Sequence, residues 1–577
     1  MQKEVLVIFK THLDVGYTDL GQAVVDKYLN EYIPRAISVA RELEGTDTPF
    51  AWTLGSWMVD QALRYDSDGS VERAIRDGLL RWHGLPFTTH TELMSKELFE
   101  YGLSISRSLD ERFGKRTVGA KMTDVPGHTA AMVPLLDASG IKFLHIGVNA
   151  VSPLPNTPDL FKWRFGSSEI TVMYEGGYGS GRDFGDFAVY FAHTNDNRGP
   201  QSADEVVKIY EKVARVYPNC KIRVADLNDL AEKILTLDDL PTVYAEIGDT
   251  WIHGAGTDPK KIGMYREILR HIKKNGITTD LADSLLLVPE HTCGLAGQTY
   301  FPNTYAWYAE QMDSPEIIKE SERIRASWDE QREYVRTAAK KLGIEVDYAL
   351  SAPTLDGWKK AETVPDFELS WQLFDKRDIT RYINDYMTLD ADNLIWGAWD
   401  YTKPGLPGYD GGIYEARVIE AYKKDDSELF VLGFDGDTER AYSLPRFYVT
   451  KQKEALEIAM IGNGNCRLPQ AILLKFKGLN ESWQIEKLGS LIDPENVVGS
   501  PLIMAADERV VGSDAIIYPL DCCLVAPFGR RLYEYDLKPQ RQDLYFNLYN
   551  NIWNTNFPLW YSDDTRYRFI IKRTNRC

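Results

Sequence analysis

The stretch EVLVIFKTHLD, residues 4–14, decides the fold of the first part of the chain. Val5–Phe9 is a compact run of β-branched and apolar residues, which is typical of a strand buried on both faces in a parallel sheet. His12 and Asp14 follow where this strand ends. In parallel α/β folds, ligands bind at the carboxyl ends of the strands. The stretch therefore predicts both a fold class and the position of a site.

Strand-like and helical patterns alternate after this first strand. Residues 22–43 and 203–217 have helical spacing, and Ser202 and Glu205 have the spacing of a capping box. The strand-like runs are IKFLHI (141–146), EITVMY (169–174) and KIRVA (221–225). Alternation of this kind predicts a parallel α/β domain, which we place at residues 1–245.

Two further textures follow. Residues 259–275 and 315–342 are long helical patterns, which predict a helical domain over residues 246–370. From residue 371, turn sequences such as KPGLPGYDGG (403–412) separate strand-like runs such as ELFVLGF (428–434) and ILLKFKG (472–478). This pattern predicts an antiparallel β-sandwich over residues 371–577.

Composition excludes several classes of protein. The chain has 577 residues and a net charge of −19, which argues against nucleic acid and against anionic membranes as partners. Its six cysteines are scattered without a CxxC pair, as expected of reduced thiols in the cytosol. The first ten residues resemble a strand rather than a signal peptide. We expect a cytoplasmic protein, although a secreted protein given without its leader stays an alternative.

The H-x-D pair, His12 and Asp14, is the first candidate for chemistry. In an extended segment both side chains point to the same face, and an imidazole beside a carboxylate suits zinc. The alternative is a capped loop, in which Asp is common and the neighbouring His is accidental.

Three other motifs each allow two interpretations. Asp124 in TDVPGHT (123–129) is either a ligand or nucleophile, or the residue that initiates the Pro-Gly turn. Asp196 in TNDNRGP (194–200) lies either in an active-site loop or in an ordinary polar loop. His253 in IHGAGTDP (252–259) is either a ligand in a glycine-containing turn or a packed core histidine.

Together the four motifs resemble glycoside hydrolase family 38, the zinc-dependent retaining α-mannosidases, and indicate a related branch of that family. In the family, an H-x-D motif after the first strand supplies two zinc ligands, which implies His12 and Asp14 here. A D-[PV]-x-G-[HY]-[ST] motif supplies an Asp that is both ligand and nucleophile, which implies Asp124. The loop before a helix implies Asp196 as acid/base, and the His that opens the helical domain implies His253 as fourth ligand.

The resemblance also implies a fold and a cofactor. The domain order becomes a distorted parallel (β/α)7-type barrel that carries catalysis, a helical bundle and a β-sandwich, with one zinc ion per chain. Two positions depart from the family pattern. Asn197-Arg198-Gly199 replaces a run of glycines in the acid/base loop, and Gly254 replaces the Asp that follows the fourth ligand. The resemblance implies an oligosaccharide or glycoside with α-linked sugars as the substrate. Because of the two departures, α-mannosides are one option among these.

Weaker candidates for substrate binding lie in four segments. His90 and Glu92 follow a strand-like run, with a capped helix start as the alternative. Arg182 and Asp183 lie in the glycine-rich loop GSGRDFGDF (179–187), where Asp183 or Asp186 is the substitute acid/base. Glu290 and His291 belong to VPEHTCG (288–294), with plain packing as the alternative. The segment YNNIWNTNFPLWY (549–561) offers Asn551, Trp553 and Asn556 to a sugar, unless it is a sandwich edge.

Two other functions stay open from the sequence. Metal-dependent carbohydrate deacetylases also combine a parallel barrel with an Asp/His metal site, in which metal-bound water attacks the acyl carbon. A chain with a degenerate acid/base loop would bind sugar without cleaving it. The sequence is compatible with a homo-oligomer and does not specify the oligomeric state.

Overall fold

We analysed a computed structural model, which describes residues 3–387, 394–479, 482–500 and 502–574. The chain divides into two compact units. Unit 1 comprises Met1–His90, Leu98–Pro126 and Ala130–Ala245, and unit 2 comprises Thr91–Glu97, Gly127–Thr129 and Glu246–Cys577. In the described ranges, no helix is both long and apolar enough to cross a membrane.

Unit 1 contains two mostly parallel sheets. The strand order is β3-β2-β1-β9-β8 in the first, with β10 also paired to β1, and β11-β6-β7-β5-β4 in the second. Only the pairs β8–β9 and β6–β7 are antiparallel. The strands are β1 (Glu4–His12), β2 (Trp52–Gly55), β3 (Leu80–His83), β4 (Gly119–Asp124), β5 (Phe143–Val148), β6 (Leu160–Phe165), β7 (Ser168–Gly176), β8 (Arg182–Asp183), β9 (Phe187–Asp196), β10 (Lys221–Val224) and β11 (Thr242–Val243).

The helices of unit 1 connect these strands. They are α1 (Gly21–Lys27), α2 (Ile33–Glu42), α3 (Ser56–Tyr65), α4 (Ser70–Arg76), α5 (Lys96–Phe113), α6 (Met132–Ala138), α7 (Ala203–Val216) and α8 (Leu227–Ile234). A π turn, Tyr28–Tyr32, joins α1 to α2 and interrupts the single helix that the sequence predicts. Helix α7 begins with the predicted capping box, in which Ser202 and Glu205 satisfy each other's backbone amides.

Burial explains why β1 forms where it does. Val5 to Phe9 are all fully buried, so the apolar run is covered on both sides as a central parallel strand requires. Leu6 and Ile8 belong to one core cluster with Phe143 of β5, Phe191 of β9 and the apolar face of α8. The sheet is therefore fixed by the same residues whose strand ends at His12.

Unit 2 begins with β12 (Glu246–Gly248), a 3-10 turn (Thr250–Thr257) and a set of helices. The helices are α9 (Pro259–Asn275), α10 (Thr279–Leu286), α11 (Gly297–Tyr300), α12 (Ala309–Met312), α13 (Pro315–Glu320), α14 (Glu322–Leu342), α15 (Lys376–Tyr386), α16 (Leu394–Tyr401) and α17 (Gly436–Tyr442). Helix α9 has the predicted bounds, and the predicted helix 315–342 is divided at Ser321 and ends at Gly343 in the left-handed conformation.

The rest of unit 2 is antiparallel β-structure in two large sheets. One has the order β13-β16-β17-β18-β19-β29-β26-β25-β21-β22, and the other β15-β14-β20-β28-β27-β24, while β12 pairs with β23. The strands are β13 (Lys359–Lys360), β14 (Phe367–Leu373), β15 (Gly412–Glu415), β16 (Arg417–Lys424), β17 (Ser427–Gly433), β18 (Arg446–Gln452), β19 (Ala455–Ile461), β20 (Gln470–Phe476), β21 (Trp483–Lys487), β22 (Ser490–Ile492), β23 (Val497–Gly499), β24 (Met504–Ala505), β25 (Val510–Gly512), β26 (Ala515–Pro519), β27 (Leu524–Ala526), β28 (Tyr545–Asn550) and β29 (Thr565–Arg573).

The predicted sequence of α/β, helical and antiparallel β regions is therefore confirmed. The closed seven-stranded barrel and the boundaries of the three domains stay predictions.

Candidate active site

Three of the four motifs lie at carboxyl ends of strands in unit 1. Strands β1 and β9 are parallel neighbours, and a bulge after Thr11 brings His12 opposite Asp196. Strand β4 ends at Asp124. Because parallel strands present their carboxyl ends at one edge, residues more than 100 positions apart in sequence meet here.

His12 and Asp14 are paired as the H-x-D pattern predicts. The Nε2 atom of His12 lies 3.1 Å from Oδ1 of Asp14, and both residues are buried, with 2% and 3% of their surface exposed. Two ligands bound to a tetrahedral zinc at about 2.0–2.1 Å lie roughly 3.3 Å apart. The separation of these two atoms therefore suits a shared zinc ion.

Asp124 adopts an unusual backbone conformation. Its φ is 79°, in the left-handed region that side-chain-bearing residues rarely occupy. Its Oδ1 accepts hydrogen bonds from Nδ2 of Asn149 at 3.0 Å and from the hydroxyl of Tyr178 at 2.8 Å. The Asp124 carboxylate is therefore oriented by two hydrogen-bond donors.

Asp196 lies close to the same tyrosine. The hydroxyl of Tyr178 is 3.3 Å from its Oδ1. Burial, together with the negative charges of Asp14 and Asp124, raises the pKa of Asp196 to about 6, while His12 and the hydrogen bond from Tyr178 oppose the shift. A carboxyl group with a raised pKa keeps its proton to a higher pH than an ordinary carboxyl group and can serve as a general acid.

Tyr178, whose hydroxyl contacts both carboxylates, is itself held through its backbone carbonyl. Its carbonyl accepts a hydrogen bond from the buried Nζ of Lys121 at 3.1 Å, and Lys121 also contacts Nδ1 of His145. The other ring nitrogen of His145, Nε2, lies 2.9 Å from a carboxylate oxygen of Glu175. A Cβ on Gly179 would lie 2.5 Å from His145, so glycine is required for this approach.

Asn197 joins the H-x-D segment to the Asp196 loop. Its side-chain oxygen accepts the amide of Asp14 at 3.0 Å, and its Nδ2 donates to the carbonyl of Asp14 at 3.0 Å and to Thr18 at 2.9 Å. Tyr32, from the π turn, donates to the Asn197 carbonyl at 2.7 Å. A residue that replaces a glycine of the family motif thus holds the backbone of a predicted ligand.

His253, in unit 2, lies in the 3-10 turn Thr250–Thr257 and is fully buried. Among the described residues, neither of its ring nitrogens has a hydrogen-bond partner. Burial lowers its pKa to about 3, so the ring is neutral. A neutral, buried imidazole without partners has the chemistry of a metal ligand.

Gly254 shows why the family's Asp is missing at this position. A Cβ on Gly254 would lie 2.1–2.3 Å from the ring of Phe557. The aromatic ring occupies the space that a side chain would need, so no carboxylate fits there.

Glu290 and His291 form a buried pair in the same unit. Nδ1 of His291 lies 2.6 Å from Glu290, whose other oxygen accepts the amide of Thr292 at 3.0 Å. The two atoms approach closely without hydrogen-bond geometry, so this contact does not assign the proton to either ring nitrogen. His291 is a second buried histidine of unit 2.

The other predicted substrate residues have varied surroundings. His90 is buried, whereas Arg182 is paired with Asp159 at 3.3 Å, Asp183 contacts Lys3 at the surface, and Asp186 is exposed. Glu92 lies in unit 2 and is 2.7 Å from the buried Lys487. Its carboxylate also accepts the amide of Ala505 at 3.0 Å. These two contacts stabilise the buried carboxylate of Glu92, so its burial does not require a bound sugar.

The aromatic and amide segment of unit 2 is tightly packed. Asn551 binds the backbone of Gln470 at 2.8 Å, and Trp553 packs on Trp251 and Tyr401 with ring centroids 5.4 Å and 4.7 Å away. The carbonyl of Asn556 accepts the amide of Cys293 at 2.7 Å. The substrate roles of all these residues stay predictions.

Sequence reasoning missed four residues of unit 1 that hold the site: Asn149, Tyr178, Lys121 and Glu175. None belongs to a motif, and their contacts come from loops and strands distant in sequence. One signal was present for Asn197, which stands where the motif of the resembled family has a glycine.

Neither a protein-family model nor a curated protein matches the sequence. Solved structures, in contrast, match the fold of this chain. An alpha-mannosidase from Enterococcus faecalis V583 aligns over 99% of this chain and 87% of its own, with a TM-score of 0.59 and 8% identity. A glycosyl hydrolase family 38 protein from Enterococcus faecalis aligns over 100% of this chain and 86% of its own, with a TM-score of 0.55 and 9% identity. The resemblance that the motifs indicate is therefore confirmed at the level of the fold, which this chain shares with structures of glycoside hydrolase family 38.

Proposed function

We propose that this chain is a zinc-dependent retaining glycoside hydrolase that cleaves α-linked sugars, with α-mannosides as the first class to test. Asp124 is the nucleophile and Asp196 the acid/base. The carboxylate geometry in unit 1 carries this proposal, and the shared fold with an alpha-mannosidase supports it.

The hydroxyl group of Tyr178 contacts both carboxylates and therefore limits the distance between them. Tyr178 Oη is 2.8 Å from Asp124 Oδ1 and 3.3 Å from Asp196 Oδ1, so these two oxygens are at most about 6 Å apart. Retaining glycosidases place their carboxyl groups about 5–5.5 Å apart, and inverting enzymes about 6.5–9.5 Å. The geometry thus favours a covalent intermediate over a direct attack by water.

In the first step, the carboxyl of Asp196 donates its proton to the glycosidic oxygen while a carboxylate oxygen of Asp124 bonds to the anomeric carbon. The bond between that carbon and the glycosidic oxygen breaks, and the alcohol leaves. In the second step, Asp196 takes a proton from water, the water oxygen bonds to the anomeric carbon, and Asp124 is released. Tyr178 and Asn149 orient Asp124 throughout.

The residues that would hold zinc are His12, Asp14 and Asp124, and the family resemblance adds His253. The N and O donors suit zinc, and the spacing of His12 and Asp14 fits two ligands of one ion. When bound, zinc supplies a positive charge that can accept the vicinal hydroxyls of a sugar.

Trapping of the intermediate tests the mechanism. A fluorinated α-mannosyl fluoride should inactivate the zinc-loaded protein and add one glycosyl mass to the peptide that contains Asp124. The variant Asp124→Asn should not be labelled, whereas Asp204→Asn, at an exposed carboxylate of helix α7, should react like the natural chain. Turnover with an inverted anomeric product would overturn the retaining mechanism. Acetate release from acetylated sugars with intact glycosidic bonds would favour the deacetylase.

Elemental analysis tests the metal site. About one zinc per chain is expected, with strong loss in His12→Ala and no loss in His271→Ala, a helix α9 residue outside the motifs. His253→Ala tests the ligand that the family resemblance adds, and it should lose zinc to the same extent as His12→Ala. A natural chain that stays metal-free after zinc addition contradicts the proposal.

A further inference from the structure

The strand that carries Asp196 contains a β-bulge beside the candidate site. The ladder between β1 and β9 is regular up to Thr11, but the next residue, His12, lies opposite Asp196, so Asn195 is the extra residue of the bulge. In a regular ladder, His12 would lie opposite Asn195. Because side chains alternate along a strand, the Asp196 carboxyl would then point to the other face of the sheet. The bulge therefore directs Asp196 into the site.

The loop that follows the bulge has a costly backbone conformation. An extra residue in a strand needs contacts that keep it there, because the regular ladder competes with the bulged one. The first hydrogen bond after the bulge runs from the amide of Asn197 to the carbonyl of His12 at 3.0 Å. Asn197 and Gly199 both have left-handed φ values, 50° and 72°. For Asn197, such a conformation persists only where the surroundings fix it.

Side chains fix this loop through its backbone carbonyls. Four consecutive carbonyls each accept a hydrogen bond from a side chain, those of Asn197, Arg198, Gly199 and Pro200. Tyr32 donates to the first carbonyl and Thr194 to the third, both at 2.7 Å. The guanidinium of Arg35, in helix α2, donates to the second at 3.3 Å and to the fourth at 2.9 Å. Tyr32 and Arg35 therefore hold three of the four carbonyls from one short helical segment.

Tyr32 and Arg35 also pack against each other and against the loop. The Arg35 guanidinium lies 5.1 Å from the centroid of the Tyr32 ring. A Cβ on Gly199 would lie 2.6 Å from the same ring, so glycine is required for this approach. We infer that Tyr32 and Arg35 form a clamp on the Asp196 loop, and that Arg35 is a positioning residue, which maintains the bulge and thereby keeps the Asp196 carboxyl directed into the site.

This inference rests on the role proposed for Asp196, and it adds residues outside the motifs. The family pattern has a run of glycines in this loop, and glycines adopt left-handed conformations at little steric cost. This chain has Asn197-Arg198-Gly199 instead. The hydrogen bonds of the clamp thus stabilise a loop in which side chains replace part of the glycine run.

Substrates with different leaving groups test the role of Arg35. Arg35→Met removes both hydrogen bonds to the loop and keeps an unbranched side chain on Tyr32. Cleavage of a glycoside with a poor leaving group should slow by about 10-fold, because a misplaced carboxyl donates its proton less well. The first step with an activated aryl glycoside should stay nearly normal. In the Asp196→Asn background, Arg35→Met should cause no further loss. Arg41→Met, at an exposed arginine of the same helix, is the matched control and should behave like the natural chain.

Tyr32→Phe provides a second variant of the clamp. It keeps the ring beside Gly199 and removes only the donor to the Asn197 carbonyl, so it should show the same dependence on the leaving group. Equal losses for both substrates in these variants, or a further loss in the Asp196→Asn background, would mean that the clamp does not act through Asp196, and they would overturn the inference.

Hydrogen exchange tests the clamp without substrate or metal. The Asn197 amide, which is bonded to the His12 carbonyl, should exchange about 10-fold faster in Arg35→Met and at its natural rate in Arg41→Met. Unchanged exchange in Arg35→Met would overturn the inference even in an active enzyme. A natural chain that cleaves no glycoside would refute the proposed function, and the exchange rates would then still decide whether the clamp fixes the loop.

Discussion

Three residues of the candidate site share a backbone conformation that is costly for them. Asp124, Tyr178 and Asn197 have φ values of 79°, 64° and 50°. Holding a residue other than glycine in this region costs on the order of 1–3 kcal/mol. A glycine would remove that cost at each position but would also remove a side chain that bonds to the site. At these three positions, the hydrogen bonds of the side chains outweigh the backbone cost.

Asn197 gives the most direct test at this scale. The change Asn197→Ala removes the bonds to both backbone groups of Asp14, so Asp14 should no longer hold its position. We expect a fall in zinc affinity of about 10–100-fold, the usual effect of losing a residue that supports a ligand. Competition with a chelator measures it.

The neighbouring Asn195 supplies the control. Its side chain is exposed, and Asn195→Ala should leave the zinc affinity unchanged. Equal affinities in the two variants would show that Asp14 is positioned by other contacts.

Asp196 can be tested through the leaving group of the substrate. Asp196→Asn removes the proton donor, so cleavage of a glycoside with a poor leaving group should slow by about 10²–10⁴-fold. An activated aryl glycoside needs little proton donation in the first step and should be cleaved at that step almost normally. Added azide should then restore turnover, because an anion needs no base. Equal losses for both substrates would instead assign Asp196 to structure.

At the scale of elements, the turn Thr250–Thr257 shows how close packing excludes a side chain. Gly254→Ala would force a methyl group against the Phe557 ring, and we expect a loss of about 1–3 kcal/mol in the free energy of unfolding. The double variant Gly254→Ala with Phe557→Leu should recover part of it. Denaturant unfolding measures both.

Gly263 in helix α9 is the matched control. The nearest atom to a Cβ there is 3.6 Å away, which is ordinary contact. Gly263→Ala should therefore stabilise the chain by up to about 1 kcal/mol, as expected inside a helix. A similar effect at both glycines would contradict the role given to Phe557.

Sequence patterns predicted those parts of the fold and site that are local. The apolar run of β1, the capping box of α7 and the proline at the start of α9 each lie within a few residues, so the sequence shows them directly. The pair His12–Asp14 followed from the period of a strand. Tyr178 and Lys121 could not be predicted, because their contacts depend on how strands from different parts of the chain align. The contact of Glu92 could not be predicted either, because its neighbour in the fold, Lys487, is almost 400 residues away in sequence.

At the scale of the whole molecule, the net charge of −19 includes carboxyl groups that are buried. Asp249 is one of them, and it caps the turn that carries His253 while Tyr386 donates to both of its oxygens at 3.0 Å and 3.1 Å. Burial raises its pKa to about 7. Burial raises the pKa of Asp507 to about 7 as well. The folded chain therefore holds protons that the unfolded chain has already released.

The contribution of Asp249 and Asp507 to stability should consequently fall as the pH rises from about 4 to about 7, because in the folded chain these two groups keep protons that the unfolded chain releases. Buried neutral histidines such as His253 act in the opposite direction, because they bind a proton only in the unfolded chain. Each such group contributes up to about 1.4 kcal/mol per pH unit. Asp249→Asn, which keeps the cap, should make the slope of unfolding free energy against pH more positive between about pH 4 and 7, because it removes one group that releases its proton only on unfolding. The exposed Asp204→Asn should leave the slope unchanged. An unaltered slope in Asp249→Asn would show that Asp249 is ionised in the folded chain.

Two tyrosines of the π turn between α1 and α2 contact the candidate site, so the number of residues in this turn matters for the site. Tyr28 donates to the carbonyl of His12 at 3.3 Å, and Tyr32 reaches Asn197. A π turn holds one more residue than an α turn, and deleting one residue between them would restore a regular helix. Every side chain beyond the deletion would then rotate by about 100°. A single-codon deletion in this helix could thus separate the tyrosines from the ligand strand while every motif residue stayed in place.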